Sequence, residues 1–268
     1  LNAAHVLDCI GKKSLHVSRT PDEWNVEEEE TPHVAMAKGL FITSRGVQLM
    51  AFEAPAVSSR AFIATLDQIK DTQRDAILTV FLFHVFQALL VLQRDLRFTH
   101  HNMILNSVGI YPSPPDAPKH REYTAQGRQY KVPDLGFISK IQNLGLSRAE
   151  YDGQLIFRGA PPNKWCFSCF MPGWDLFCFL KDLQTNFPWT SAHPTVAMLW
   201  GRMASGVSPE SIGSLDPYPS KNLSKWEKLM KDRSLASMVH LTAGELLVMF
   251  DEKSNTPFHT LERSMSNK

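Results

Sequence analysis

Residues 98–107, Phe-Thr-His-His-Asn-Met-Ile-Leu-Asn-Ser, set two histidines, two asparagines and a serine in one short segment. An imidazole titrates near neutral pH, so His101 is a candidate general base. The amide of Asn102 cannot take up a proton there, but it can hydrogen-bond a hydroxyl and position it. Farther along, Asp134-Leu135-Gly136 places a carboxylate just ahead of a glycine, and Asp175 follows Pro172-Gly173-Trp174. Cys166-x-x-Cys169 with Cys178 offers three thiols. No His or fourth Cys follows at a zinc-ligand spacing, so these read as small apolar residues leading into a buried helix.

These residues need elements to position them. Residues 3–16 read as a short helix, and 20–32 as a polar linker whose Glu27 to Glu30 run is a solvated loop. Residues 39–43 and 47–52 flank Ser44-Arg45-Gly46 and predict a hairpin. Residues 58–69 are amphipathic. A long helix then begins at Thr72, with Thr72-x-x-Asp75 fitting a capping box. It is apolar nearly all round to Leu92, so it belongs inside a helical body. Four prolines in the nine residues 111–119 predict a loop without regular structure, continuing to 127. Residues 131–141 resume a strand-like pattern, 175–183 read as a strong helix, and 194–204, 222–232 and 242–251 as helical patches. The order is a β-containing cap followed by a mainly helical body, an α+β arrangement.

Composition narrows the function classes. The chain has 268 residues, 43% of them hydrophobic and 21% charged, enough for a large core. A net charge of +1 gives no electrostatic reason for a nucleic-acid or membrane-surface partner. Four cysteines at low density suit a reducing compartment, the cytoplasm of a cell. No signal-peptide pattern opens the chain. The longest apolar stretch, residues 76–92, is short for a membrane span and contains Thr79, His84 and Gln87.

The order of elements and motifs resembles a protein kinase, and is most similar to the kinase-like proteins of large DNA viruses. Residues 4–11, Ala-His-Val-Leu-Asp-Cys-Ile-Gly, resemble their C-helix, with Val6 where a Glu is expected. Residues 47–53 resemble the strand that runs into the hinge, and 72–97 the long helix before the catalytic loop. Thr99-His100-His101-Asn102 resembles that loop, which in the viral group reads Thr-His-x-Asp-Leu-His-x-x-Asn. In this register Asn102 stands at the catalytic Asp, Met103 at the Leu, Ile104 at the second His, and Ser107 at the metal-binding Asn. A shift by one residue puts His101 and Asn106 at those two catalytic positions instead. Either register removes the carboxylate. Asp134-Leu135-Gly136 resembles the metal-binding Asp-Phe-Gly turn, and residues 172–176 the start of the central helix. The resemblance covers about residues 4–250.

The resemblance implies a reduced small lobe, residues 1–55, and a helical large lobe, residues 56–268, with a Pro-rich insertion at 111–127. It implies that Asp134 is a vestigial ligand for magnesium and ATP, that Gly136 is structural, and that Asp175 holds the catalytic loop by accepting its backbone N–H groups. No Gly-x-Gly-x-x-Gly occurs, and the ATP-anchoring strand lysine has no counterpart; Lys12 and Lys13 lie on the C-helix segment. The expectation is therefore a pseudokinase without a working cofactor. It would act as a structural or interaction module with protein partners, in a host cytoplasm or a virus particle. The alternatives are a residual phosphotransferase and an unrelated helical protein. The expected contact regions are the loop 111–127 and the aromatic-rich segment 165–170.

Overall fold

The computed structural model describes residues 33–35, 37–42, 48–157, 170–205, 238 and 240–250. The expected helices at 3–16 and 222–232, the Glu27 to Glu30 run, and Cys166 and Cys169 lie outside them. The architecture is α+β, built from helices and small antiparallel sheets. β1 (Ala37–Ile42) and β2 (Gln48–Phe52) form the expected hairpin, with Ile42 opposite Gln48. β3 (Val57–Ser58) leads into α1 (Ser59–Leu66), whose first turn is capped by the Ser58 side chain.

The centre of the molecule is α2 (Asp71–Leu96). Every residue from Leu78 to Gln93 is buried, as a helix apolar on all faces requires. Among the described residues it is the one helix long and apolar enough to cross a membrane. That apolar window is 89% buried inside this protein, so it serves as a core helix here. The expected capping box at Thr72 is not formed. The helix begins earlier, at Asp71, whose carboxylate suits the positive N-terminal end of the helix and pairs with Arg74 at 2.7 Å. Arg97 ends the helix in the left-handed conformation, φ 41°.

β4 (Val108–Pro112) and β7 (Phe137–Ile141) pair antiparallel, with Val108 opposite Ile141 and Pro112 opposite Phe137. β3 lies on the other side of β4, and residues 33–35 run along β7. Between β4 and β7 the chain differs from the expectation. Residues 111–127 are not an irregular loop: β5 (His120–Ala125) and β6 (Arg128–Pro133) form a hairpin. The prolines stop short of it, at 112, 114, 115 and 118, and so leave β5 free to pair. The strand-like stretch expected at 131–141 holds the end of β6 and the whole of β7, separated by residues 134–136. One face of the hairpin is apolar, with Tyr123, Ala125, Tyr130 and Val132 buried. Tyr123 and Tyr130 face each other across the strands and pack on Phe83 of α2 at 5.2 and 5.4 Å between ring centroids.

A further hairpin, β8 (Arg148–Tyr151) and β9 (Gln154–Phe157), turns at Asp152 and Gly153 with φ 50° and 71°. Asp-Gly is a dipeptide suited to such a tight turn, because both residues take positive φ there. α3 (Pro172–Asn186) has Pro at its first position, and α4 (Pro194–Ala204) follows. α5 (Ala243–Leu247) carries a capping box between Thr242 and Glu245. Gln93 of α2 ties two of these helices together. Its Oε1 accepts the Ala243 N–H and its Nε2 donates to the Pro172 carbonyl.

Candidate functional site

The segment 99–107 leaves α2 and crosses in front of α3. Two buried acids of α3, Asp175 and Asp182, hold its backbone. Asp175 Oδ2 accepts the His100 N–H at 2.6 Å, and Oδ1 accepts the His101 N–H at 3.0 Å. Asp182 Oδ2 accepts the Leu105 N–H at 2.9 Å. The two acids are seven residues apart, which places both on one helix face. That spacing was the available signal for Asp182, which the sequence reading missed. Burial pushes the Asp175 carboxyl up to about 7, while the two N–H donors oppose the rise. Thr99 adds a backbone bridge to Arg148, and its hydroxyl oxygen accepts the Met171 N–H.

The side chains of the segment are taken up in the same framework. His100 Nε2–H donates to the Gln142 carbonyl at 2.9 Å, and Nδ1 accepts the Asn102 N–H, which fixes the tautomer. Burial lowers the His100 pKa to about 4, so the ring is neutral at pH 7. His101 is 1% exposed and sits in the left-handed conformation, φ 62°. A base buried this deeply is badly placed to meet a substrate hydroxyl. Asn102 is half-buried. The Ser107 hydroxyl donates to the Asn102 carbonyl at 2.7 Å, closing the segment on itself. Asn106 is exposed, and its carbonyl accepts from Asn143 Nδ2 at 2.8 Å.

Asp134 is not brought to this segment. The β4–β7 ladder starts beside it, where the Gln142 N–H donates to the Ser107 carbonyl at 2.9 Å. Asp134 lies beyond the opposite end of the ladder, past Phe137; four strand steps alone make ~13 Å. Its carboxylate is fully engaged there. Oδ1 accepts the Ser113 hydroxyl and the Gly136 N–H, both at 2.7 Å. Oδ2 accepts Nε and Nη2 of Arg121 at 3.1 and 2.9 Å. Burial alone would raise its pKa, but Ser113, Gly136 and Arg121 outweigh that and hold it below the usual carboxylate range. Gly136 takes φ +84°, a backbone state that favours glycine.

These residues do not fit a magnesium–nucleotide site. The Asp134 oxygens are bound to protein donors, including a cation. Around segment 99–107 the carboxylates, Asp175 and Asp182, are bound to backbone N–H groups, and the other side chains in contact are amides, hydroxyls and a neutral imidazole. Among the described residues, no group of three or more His, Cys, Asp or Glu side chains is arranged to hold a metal ion. What the arrangement does is hold a loop in one shape: buried acids bind its backbone and neutral groups line its face. No family model matches the chain, and no curated protein matches it.

Two other polar clusters were not foreseen. Lys140 of β7 pairs with Glu53 at 2.7 Å and lies 4.9 Å from the Tyr111 ring centroid. Arg148 is buried and donates to the Arg97 carbonyl and to Glu150, which Arg97 also meets at 3.0 Å. Of the expected aromatic contact segment only Phe170 is described, and it stacks with Arg97 at 5.1 Å.

Proposed function

We propose that the chain is a catalytically inactive, kinase-like module, a pseudokinase that works as a structural or interaction protein. One observation carries this reading. The segment 99–107 is clamped by Asp175 through the His100 and His101 N–H groups, the bond the family resemblance implies, and in the register of that resemblance Asn102 takes the position of the proton acceptor. The scaffolding acid is retained and the reacting acid is absent.

Geometry sharpens the reading at a second position. In phosphoryl transfer, the proton acceptor and the metal-binding carboxylate act on one phosphoryl group, so they must lie close together. The turn that adjoins segment 99–107 is the one after β7, with Asn143 bonded to the Asn106 carbonyl. In this reading the metal-side position belongs to Asn143, and Asp134 is a structural acid at the base of the β5–β6 hairpin. Both chemical positions are then amides. An amide neither takes up the proton nor supplies the anionic charge that magnesium prefers. The family resemblance alone adds the setting: protein partners, a reducing compartment, and a role in the particle of a large DNA virus or its assembly.

Thermal unfolding with millimolar ATP, with and without Mg2+, tests the proposal. The native chain should show no Mg2+-dependent rise in Tm, since a ligand of the folded state must raise it. The Asn102→Asp, Asn143→Asp double variant should gain a Mg2+-ATP shift that Asp134→Asn leaves intact. A Mg2+-ATP shift in the native chain that Asp134→Asn removes would overturn both the inactive reading and the assignment of Asn143.

A further inference from the structure

Away from the candidate site, two histidines are buried face to face. The rings of His33 and His84 stack at 4.2 Å between centroids, 23° from parallel, and expose 0% and 1% of their surface. His33 Nδ1–H donates to the Ser139 carbonyl at 2.9 Å, so Nε2 accepts the Tyr123 hydroxyl at 2.9 Å. The Ser139 N–H in turn points at His84 Nδ1, 3.4 Å away. Both rings must be neutral for this pattern. A proton on His84 Nδ1 would set a donor against the Ser139 N–H, and a charge on either ring would face its stacked partner.

The surroundings oppose charge as well. Burial comes first, and Arg121 of β5 acts against both rings, with Lys140 of β7 acting on His33. The carboxylates nearby are committed, Asp134 to Arg121 and Glu53 to Lys140. The His33 ring is one of the ties that hold the edge of the sheet. Residues 33–35 join β7 through two backbone bonds, Ala35 N–H to the Ile141 carbonyl and Ile141 N–H to the His33 carbonyl.

We propose that the His33–His84 pair is an acid-sensitive latch that holds residues 33–35 on the sheet, and that acidification releases this edge while the helical body stays folded. Once the edge opens, the rings meet water and titrate near their ordinary value of about 6.5. Below that pH each freed histidine favours the open state by up to about tenfold per pH unit. The inference is independent of whether the other site binds nucleotide.

Native-state amide exchange, corrected for the intrinsic pH dependence, reads the latch directly. From pH 7.5 to 5.5, protection at Ala35 and Ile141 should fall by about tenfold if one ring titrates and about a hundredfold if both do. Protection in β4 and α2 should stay well above that at Ala35 and Ile141 at both pH values, because the edge opens without them. His84→Phe, which keeps an aromatic ring in the stack without the titration, should flatten the response at Ala35. Unchanged protection at Ala35 and Ile141 between the two pH values, or protection there equal to that of α2 at both, would overturn the proposal. The native chain alone decides it if His84→Phe does not fold.

Discussion

Asp175 supports two backbone N–H groups in a site with no solvent to replace it. Asp175→Asn puts an amide donor against one of them, and a buried unsatisfied donor costs about 1–3 kcal/mol. Urea denaturation should show a loss of that size. The pH dependence has two opposing parts. The folded Asp175 holds a proton up to about pH 7, whereas the unfolded residue loses it near pH 4. Its contribution is therefore present at acid pH and is lost as pH rises through about 7. His100 and His84 titrate in the folded state at about 4 and about 3, below their unfolded value near 6.5. Their contribution is present above about pH 6.5 and is lost as pH falls toward those values. Stability should fall on acidification below pH 6.5, and Asp175→Asn should make that fall steeper. A shallower fall in the variant, in denaturant midpoints at pH 5 and 8, would contradict the assignment.

The β5–β6 hairpin shows how far sequence reading reaches for an element. Residues 78–93 declare a buried helix because apolar residues appear on every face, and no tertiary knowledge is needed. The prolines at 112–118 declare an interruption equally clearly, but they hide the strands after it, whose register depends on Tyr123 meeting Tyr130. Asn143 was illegible for a related reason. Nothing local marks it as a neighbour of Asn106; only the return of β7 along β4 brings it there. Asp134-Leu135-Gly136 stood out because it matched a motif, yet its carboxylate is consumed by Arg121 and Ser113. Two substitutions test this account of the hairpin. Arg121→Ala takes the cation from the Asp134 carboxylate but leaves it Ser113 and the Gly136 N–H, and should cost about 1–3 kcal/mol. Phe83→Ala removes the ring under Tyr123, Tyr130 and Phe250, and should cost about 3–5 kcal/mol. Near-neutral results by denaturant unfolding would mean the hairpin is not seated on α2.

At the scale of the whole molecule, the reading proposed above divides the groups around segment 99–107 by task. The groups that shape segment 99–107 are present: Asp175, Asp182, the His100 bond to Gln142, and the Ser107 closure on Asn102. The positions for proton uptake and metal charge are amides, in the reading proposed above. On the proposed reading the molecule would serve partners without turnover, since function follows from a site and not from its scaffold. The central claim is the absence of phosphoryl transfer, and radiolabelled ATP tests it most directly. The native chain is incubated with Mg2+ or Mn2+, [γ-32P]ATP and a generic protein substrate, beside Asn102→Ala and Asp134→Ala controls. The account predicts no incorporation above the no-protein blank and no difference among the three proteins. Metal-dependent incorporation by the native chain that Asn102→Ala or Asp134→Ala abolishes would contradict it.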